Sequence, residues 1–463
     1  MQITCHGAAS GEVTGSCYHI QSGATNILLD MGLFQGHKSD KKNRPPANVR
    51  LRKLDAVVLT HAHLDHTGRL PLLARANYER PIYGTPATCE LTALILRDSA
   101  KIQQQDAERW NRKRLRAGQA PVEPLYTIED AEKVIKLLTP VRYDEPLNVA
   151  PNLKAHFAEA GHMLGSTSVQ IVVDEDGRRK TVVFSGDVGP KGAPMLRDFE
   201  PFTKADMVFC ESTYGDRDHR PFRETMGEFI NIVQDAHARR AKIIVPTFAI
   251  GRAQVLLLLM AWMFRNQKVP SMPVYLDSPM AIEASKIFRQ HRELFDEEML
   301  SFAAEGSIDQ DLRDAHATAS ADESKAINFV PGPCMILAGA GMANAGRIVH
   351  HLRNNLWKPE TTVIIAGYQG QGTLGRQLVD GAKHVKIFGE KIAVRAGIHT
   401  LNGFSGHAGQ TDLLKWVSAV APARPRIVLT HGEDRARVPF AEKIEQQFGI
   451  RPQLAKLGEI ISL

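Results

Sequence analysis

Short apolar runs recur along this chain, and several end in a residue that binds metals. Leu54–Thr60 (LDAVVLT) leads directly into His61-Ala62-His63-Leu64-Asp65-His66. Its length fits one buried strand. Thr14–Gln21 and Asn26–Asp30 read as strands joined by a Ser-Gly-Ala turn. Leu153–Ala158, Ser168–Val173 and Lys180–Ser185 continue the strand texture, and Ala205–Glu211 again pairs a strand with a terminal acid. Between them, residues 87–138 carry a helical period with Lys, Arg, Glu and Gln on the polar side.

The texture changes after residue 211. Apolar strands at Lys242–Thr247, Val274–Asp277, Cys334–Ala338, Thr362–Ala366 and Val385–Phe388 alternate with helical segments. This alternation predicts a parallel sheet covered by helices. Strand-like runs return at Arg426–Thr430 and Glu459–Leu463, around a helix near Pro439–Phe448.

With 463 residues, the chain is expected to form two or three domains. The longest apolar stretch, Ala253–Phe264, is too short to cross a bilayer and reads as a buried helix. No signal peptide is visible, the cysteine count is five, and no C-x-x-C occurs. A disulfide framework is therefore not expected, and a reducing, cytoplasmic setting is. The net charge of +6 adds little by itself. It is locally concentrated in RWNRKRLR, Arg109–Arg116, with five positive charges. A solvated helix end is the ordinary reading of that stretch, and a phosphate-tracking patch the sharper one.

Four potential metal ligands within six residues, His61 to His66, form the densest chemical signal. A loop leaving a strand can turn His61 and His63 to one side and Asp65 and His66 to another, which serves two metals rather than one. Imidazole and carboxylate donors suit zinc, with manganese or iron weaker candidates. Further donors stand at strand ends: Asp30 in NILLD, His162 in AGHMLGS, Asp187 in TVVFSGD and His431 in RIVLTH. Each is ambiguous alone, since strand-end Asp is also a common turn residue. Arg252, Arg347 and Arg376, each beside a glycine, are candidates to bind phosphate. The G-x-G at Gly339–Gly341 lacks the rest of a dinucleotide fingerprint and is discounted.

In order and spacing, these motifs resemble the metallo-β-lactamase superfamily and, within it, the β-CASP nucleases. Asp30 matches the first motif, His61-x-His63-x-Asp65-His66 the second, His162 the third and Asp187 the fourth. The β-CASP additions fall on Glu211 in ESTYG, His407 in GFSGHAG and His431 in LTHGE. PTFAIGRAQ, LDSPMA and GYQGQGTLGRQL also look like the family. The resemblance covers essentially the whole chain. It extends to bacterial and archaeal ribonucleases related to the endonuclease subunit of the cleavage and polyadenylation specificity factor.

The resemblance implies an α/β fold: a four-layer αββα sandwich with an inserted α/β domain. The sandwich is expected over 1–211 and 396–463, and the insertion over 212–395. No N-terminal RNA-binding extension is expected. The implied cofactors are two zinc ions per chain. His61, His63 and His162 are assigned to one, and Asp65, His66 and His431 to the other, with Asp187 between them. Asp30 is assigned to support of the loop. His407 is the candidate general acid, with Glu211 orienting either His407 or His431. Asp65 is counted with the catalytic residues as well as the ligands. Ser405, Arg252, Arg347 and Arg376 are the phosphate-binding candidates.

The implied activity is hydrolysis of single-stranded RNA to 5′-phosphate and 3′-hydroxyl ends, by internal cleavage, with 5′→3′ exonucleolytic cleavage as a further mode. The competing readings are a DNA nuclease of the same superfamily and an inactive RNA-binding scaffold. DNA-acting relatives tend to carry an aliphatic residue where His431 stands. The chain departs from the family at LAGAGMANAGR (Leu337–Arg347) and at Val255, where an acid is usual. These departures bear on substrate contacts, not on the ligands. Homodimerisation, common in the family, and the natural RNA are left open by the residues.

Overall fold

A computed structural model describes residues 1–36, 39–175 and 177–463. The chain forms two compact units. The first comprises Met1–Gly192, Arg197–Asp218 and His407–Leu463, and the second Ala193–Leu196 and His219–Gly406.

The first unit is built on two seven-stranded sheets. One runs in the order Ile460–Ser462, Gln2–Cys5, Tyr18–Ser22, Thr25–Leu29, Ala56–Val58, Ile82–Gly84, Leu138–Pro140. The other runs Gln453–Leu454, Arg426–Leu429, Met207–Cys210, Arg178–Phe184, Thr167–Glu175, Leu153–Glu159, Leu147–Ala150.

Alternation along each strand sets the layers, because successive side chains point to opposite faces. Ile27 and Leu29 join a core with Phe157, Val169, Ile171, Phe184 and Phe209. Leu28, between them, packs instead with Leu96, Tyr126 and Val134 under the flanking helices. In the second sheet, Val182 and Phe184 enter the shared core. Val183 faces outward onto Trp416, Val417, Phe440 and Ile444. Helix, sheet, sheet and helix thus follow one another, giving the αββα sandwich.

The helical segment expected over 87–138 is divided. One helix spans Pro86–Arg116, a second spans Ile128–Ile135, and Leu138–Pro140 is a strand. Gly118, Pro121 and Pro124 fall in the break, where they disfavour helix continuation.

The second unit carries a six-stranded, all-parallel sheet. Its order is Ala315–Ala317, Val274–Asp277, Cys334–Ala338, Lys242–Pro246, Thr362–Ile365, Gly397–Thr400. Its core joins Ile244, Ile336, Val363 and Ile365 to Ile348 and Leu352 of the Arg347–Asn355 helix. Residues Gly397–Thr400 differ from the expected boundary at 396. They pair with Thr362–Ile365, so the chain rejoins the first unit only at His407.

Candidate metal centre

The candidate ligands belong to the first unit and follow strands that share a direction. The strand Thr25–Leu29, followed by Asp30, runs parallel to Ala56–Val58, which leads into the His61–His66 loop. In the facing sheet, Arg178–Phe184, Met207–Cys210 and Arg426–Leu429 are mutually parallel and lead to Asp187, Glu211 and His431. Parallel strands carry their C-terminal ends to one edge, so the donors converge.

Backbone contacts fix the His61–His66 loop. Ser16 N donates to Asp65 O (2.8 Å), Met31 N to His66 O (2.8 Å) and Leu33 N to Leu64 O (2.9 Å). The approach is so close that a Cβ on Gly32 would fall 1.5 Å from Asp65 O, so only glycine fits. Asp30 and His431 both adopt left-handed backbone, with φ of 58° and 49°. Such strain in non-glycine residues costs about 1–3 kcal/mol and concentrates at functional sites.

Two histidine-rich donor groups result. His61, His63, His162 and Asp187 bring one atom each within 4.8 Å of one another, and so do Asp65, His66 and His431. Asp187, Glu211 and His407 form a third set that meets the same distance limit. In the first group, His63 Nδ1 lies 3.2 Å from His61 Nε2 and 3.1 Å from His162 Nε2. Asp187 Oδ2 lies 3.5 Å from His61 Nε2 and 3.6 Å from His162 Nε2. Its other oxygen, Oδ1, lies 3.4 Å from His66 Nε2 and 3.5 Å from His431 Nδ1. Asp187 therefore faces both groups with one oxygen each. In the second group, His66 Nε2 is 3.3 Å from His431 Nε2, which is 3.6 Å from Asp65 Oδ2.

The donor set fits zinc on its own chemistry. Asp187 Oδ1 is buried without a hydrogen-bond partner. A buried carboxylate oxygen left so is costly unless a cation satisfies it. Burial, together with the neighbouring His66, holds His61 well below the ordinary histidine range. Burial likewise brings His63 down to about 4. Both are neutral and offer lone pairs. Burial opposes ionisation of Asp187, but His431, His66 and His61 hold it well below the ordinary carboxylate range. Burial opposes Asp65 in the same way, and His431 nevertheless brings it down to about 2.

Asp30 stands behind the candidate ligands. Its Oδ2 accepts from His66 Nδ1 (2.7 Å) and Thr60 Oγ1 (2.8 Å), and its Oδ1 from Thr60 N (2.8 Å). A carboxylate only accepts, so His66 carries its proton on Nδ1 and turns Nε2 toward the donor group. Burial opposes charge on His66, yet Asp187 and Asp30 raise its pKa well above the ordinary value.

Glu211 and His407 adjoin the centre. Glu211 Oε1 lies 3.3 Å from His407 Nδ1 and accepts from Val188 N at 2.7 Å. His407 Nε2 is 4.0 Å from Asp187 Oδ2. Burial disfavours the imidazolium, but Glu211, then Asp187 and Asp65, raise His407 to about 9. The choice left open by the residues is thereby narrowed: Glu211 bonds His407, whereas His431 Nδ1 lies 3.1 Å from Thr213 Oγ1.

Sequence reasoning passed over the supporting hydroxyls. Thr60 lies against Asp30 and His61, Thr213 against His431, and Ser185 Oγ accepts from Glu211 N at 2.9 Å. Their one signal was position, next to the ligand or acid at a strand end.

The phosphate-binding candidates belong to the second unit. Arg347 is engaged within its own unit. Its Nη1 donates to Asp277 Oδ1 (2.7 Å) and Thr318 O (2.8 Å), and its Nη2 to Ala319 O (2.6 Å). Those bonds give it a structural role in the second unit. Arg376 is exposed to solvent in part and paired with Asp380, four residues on, at 2.9 Å. Arg252 begins the Arg252–Arg265 helix, and Ser405 precedes His407 by two positions.

Comparison with known families agrees with this architecture. The metallo-β-lactamase superfamily profile matches residues 10–247. The Beta-Casp domain matches 253–378, and the Zn-dependent metallo-hydrolase RNA specificity domain matches 391–455. Ribonuclease TTHA0252 of Thermus thermophilus is 38% identical over 99% of this chain and 99% of its own length. Transcription termination factor FttA of Thermococcus kodakarensis is 32% identical over 95% of this chain and 68% of its own. In fold, the chain is similar to a crystal structure of a protein of unknown function from Enterococcus faecalis V583. That likeness has a TM-score of 0.56 at 14% identity and covers 100% of this chain and 99% of the other. The chain belongs to the β-CASP ribonuclease family of the metallo-β-lactamase superfamily, a family of zinc-dependent metallo-hydrolases.

Proposed function

We propose that this protein hydrolyses single-stranded RNA at a pair of zinc ions, cutting internally and leaving 5′-phosphate and 3′-hydroxyl ends. The observation that carries this reading is the position of Asp187, with one oxygen toward each histidine group and the Glu211–His407 pair beside it. His61, His63 and His162 would hold one zinc, and Asp65, His66 and His431 the other, with Asp187 shared. When bound, such a pair supplies Lewis acidity toward the phosphate and makes water acidic enough to react near neutral pH.

The chain's own residues provide the rest. Asp30 fixes the His66 tautomer, and Thr213 braces His431. Glu211 keeps the Nδ1 proton of His407 in place and favours the imidazolium. His407 then acts as general acid, giving its Nε2 proton to the 3′ oxygen as the bond from that oxygen to phosphorus breaks. Water adds to the phosphorus, so the phosphate stays on the 5′ oxygen of the downstream product. Arg252, Arg376 and Ser405 are proposed to contact the RNA backbone.

The test is cleavage of a 5′-labelled single-stranded RNA and a matching DNA, with the ends of the fragments identified. RNA fragments bearing 5′-phosphates, absent with Asp65→Ala, His66→Ala protein, support the reading. A 2′,3′-cyclic phosphate would exclude water as the nucleophile. Cleavage of DNA alone would favour the DNA nuclease, and cleavage of neither strand the scaffold. Mononucleotides released from the 5′ end would replace internal cutting with exonucleolytic trimming.

A further inference from the structure

The basic stretch Arg109–Arg116 has no part in the centre described above. It is the distal end of the 31-residue helix Pro86–Arg116. The proximal end is tied to the centre: Thr85 Oγ1 and Thr88 Oγ1 both donate to Gly165 O at 2.7 Å, in the loop that carries His162. The buried residues of this helix end at Ala100. Beyond that point it carries Lys101, Arg109, Arg112, Lys113, Arg114 and Arg116 against two acids, Asp106 and Glu108.

This distal half is a built element rather than a fraying end. Residues 117–125 fold back along it. Asn111 and Val122 exchange two hydrogen bonds, Nδ2 to O at 2.9 Å and N to Oδ1 at 2.7 Å. Arg114 Nε donates to Ala120 O at 2.7 Å. The other cations stay outside this strap. Arg109, Arg112, Lys113 and Arg116 fall at i, i+3, i+4 and i+7, one face of a helix, and all are exposed. Arg109 has an exposed partner in Asp106 at 3.4 Å. Among the described residues, no carboxylate pairs with Arg112, Lys113 or Arg116. Trp110 stands next to this stripe, 56% exposed.

Resting on the ribonuclease reading, we propose that this helical arm is a second RNA-binding site, separate from the zinc centre. The cations would follow backbone phosphates, and Trp110 would stack on a base. Single-stranded RNA is the occupant that fits, because the stripe is cationic, its aromatic is exposed, and the substrate is a polyanion. At 1.5 Å per residue, Arg109 lies about 36 Å along the helix axis from its Thr85 cap. A stacked strand advances about 3.4 Å per nucleotide, so roughly ten nucleotides would span that length. The arm therefore acts only on RNA long enough to reach it.

The test compares wild-type, zinc-replete protein with an Arg109→Gln, Arg112→Gln, Lys113→Gln, Arg116→Gln variant. The substrates are single-stranded RNAs of about six and about thirty nucleotides, at several salt concentrations. For the long RNA, the variant should show KM raised about ten-fold at low salt with kcat kept. Its slope of log KM against log salt should be shallower by about 3, since each lost phosphate contact is worth about 0.7. For the short RNA nothing should change. Trp110→Ala should raise the long-RNA KM about five-fold or more. Replacing the three arginines of the stripe by lysine should preserve binding, because charge is kept. Equal KM and slope for wild type and the glutamine variant would overturn the proposal, as would equal losses on both RNAs. Wild-type protein that cuts neither RNA would overturn the ribonuclease reading itself, and the arm's role with it.

Discussion

His407 Nδ1 lies 3.3 Å from Oε1 of Glu211, a carboxylate with no solvent exposure whose Oε1 also accepts from the backbone N of Val188. One side of the imidazole is thus committed to an anion, and its Nε2 is directed toward Asp187. The pair predicts a pH effect. A histidine raised to about 9 keeps its proton at neutral pH and loses it as pH rises through that value. Glu211→Gln removes the largest raising influence, so the alkaline limb of kcat should move down toward about 6.5. The check is a pH–rate profile of wild type and variant. An unmoved limb would show that Glu211 does not set the His407 proton.

Asp30 makes three hydrogen bonds as an acceptor, which an amide cannot reproduce. Asp30→Asn must turn an NH₂ toward Thr60 or His66, releasing the His66 ring. Zinc affinity should fall about 10- to 100-fold while the fold persists. Competition with a chromophoric chelator measures this. Unchanged affinity would remove Asp30 from any role in orienting His66.

Arg347 and His351 both donate to buried Asp277, which also accepts from Thr318 and Ser324. Removing one partner of a buried charge leaves the other uncompensated. Arg347→Ala should therefore lower stability by about 2–4 kcal/mol, measured by denaturant unfolding. The salt dependence of RNA binding should stay as in wild type, because this guanidinium is already engaged. A shallower salt slope with undiminished stability would restore it as a phosphate contact.

Glu159 leads into the His162 loop, accepting from Gly161 N at 2.9 Å. Burial, against opposing bonds from Gly161 and Tyr143, raises its carboxyl from 4.5 to about 7. The sign follows from linkage. Below about 4.5 both folded and unfolded chains hold the proton, so there is no cost. Between 4.5 and 7 the unfolded chain ionises first, and above 7 the native state has lost about 3 kcal/mol. Glu159→Gln should match wild type at pH 4 and exceed it in Tm at pH 8. Parallel Tm curves across that range would refute the assignment.

Much of the sandwich was legible because strand alternation writes both faces into the sequence, as at Ile27, Leu28 and Leu29. The candidate donors stood out because His61, Asp187 and His431 follow apolar runs and the first of these opens a dense H-x-H-x-D-H stretch. What stayed hidden depends on partners distant in sequence. Gly397–Thr400 (GIHT) has no apolar run of its own, and only its pairing with Thr362–Ile365 places it in the second unit. The same holds for Arg347, a phosphate candidate from its glycine neighbour alone, whose partner Asp277 lies seventy positions earlier. Thr60 and Thr213 look like ordinary strand-end hydroxyls until Asp30 and His431 are beside them.

Two zinc ions are proposed to be needed for RNA hydrolysis, and a metal titration tests this. Zinc is added stepwise to chelator-stripped protein while cleavage of a 5′-labelled single-stranded RNA is followed, with bound metal measured in parallel. Cleavage should be absent without metal and should saturate as the second equivalent binds. Full activity at one equivalent, or cleavage by the metal-free protein, would contradict it.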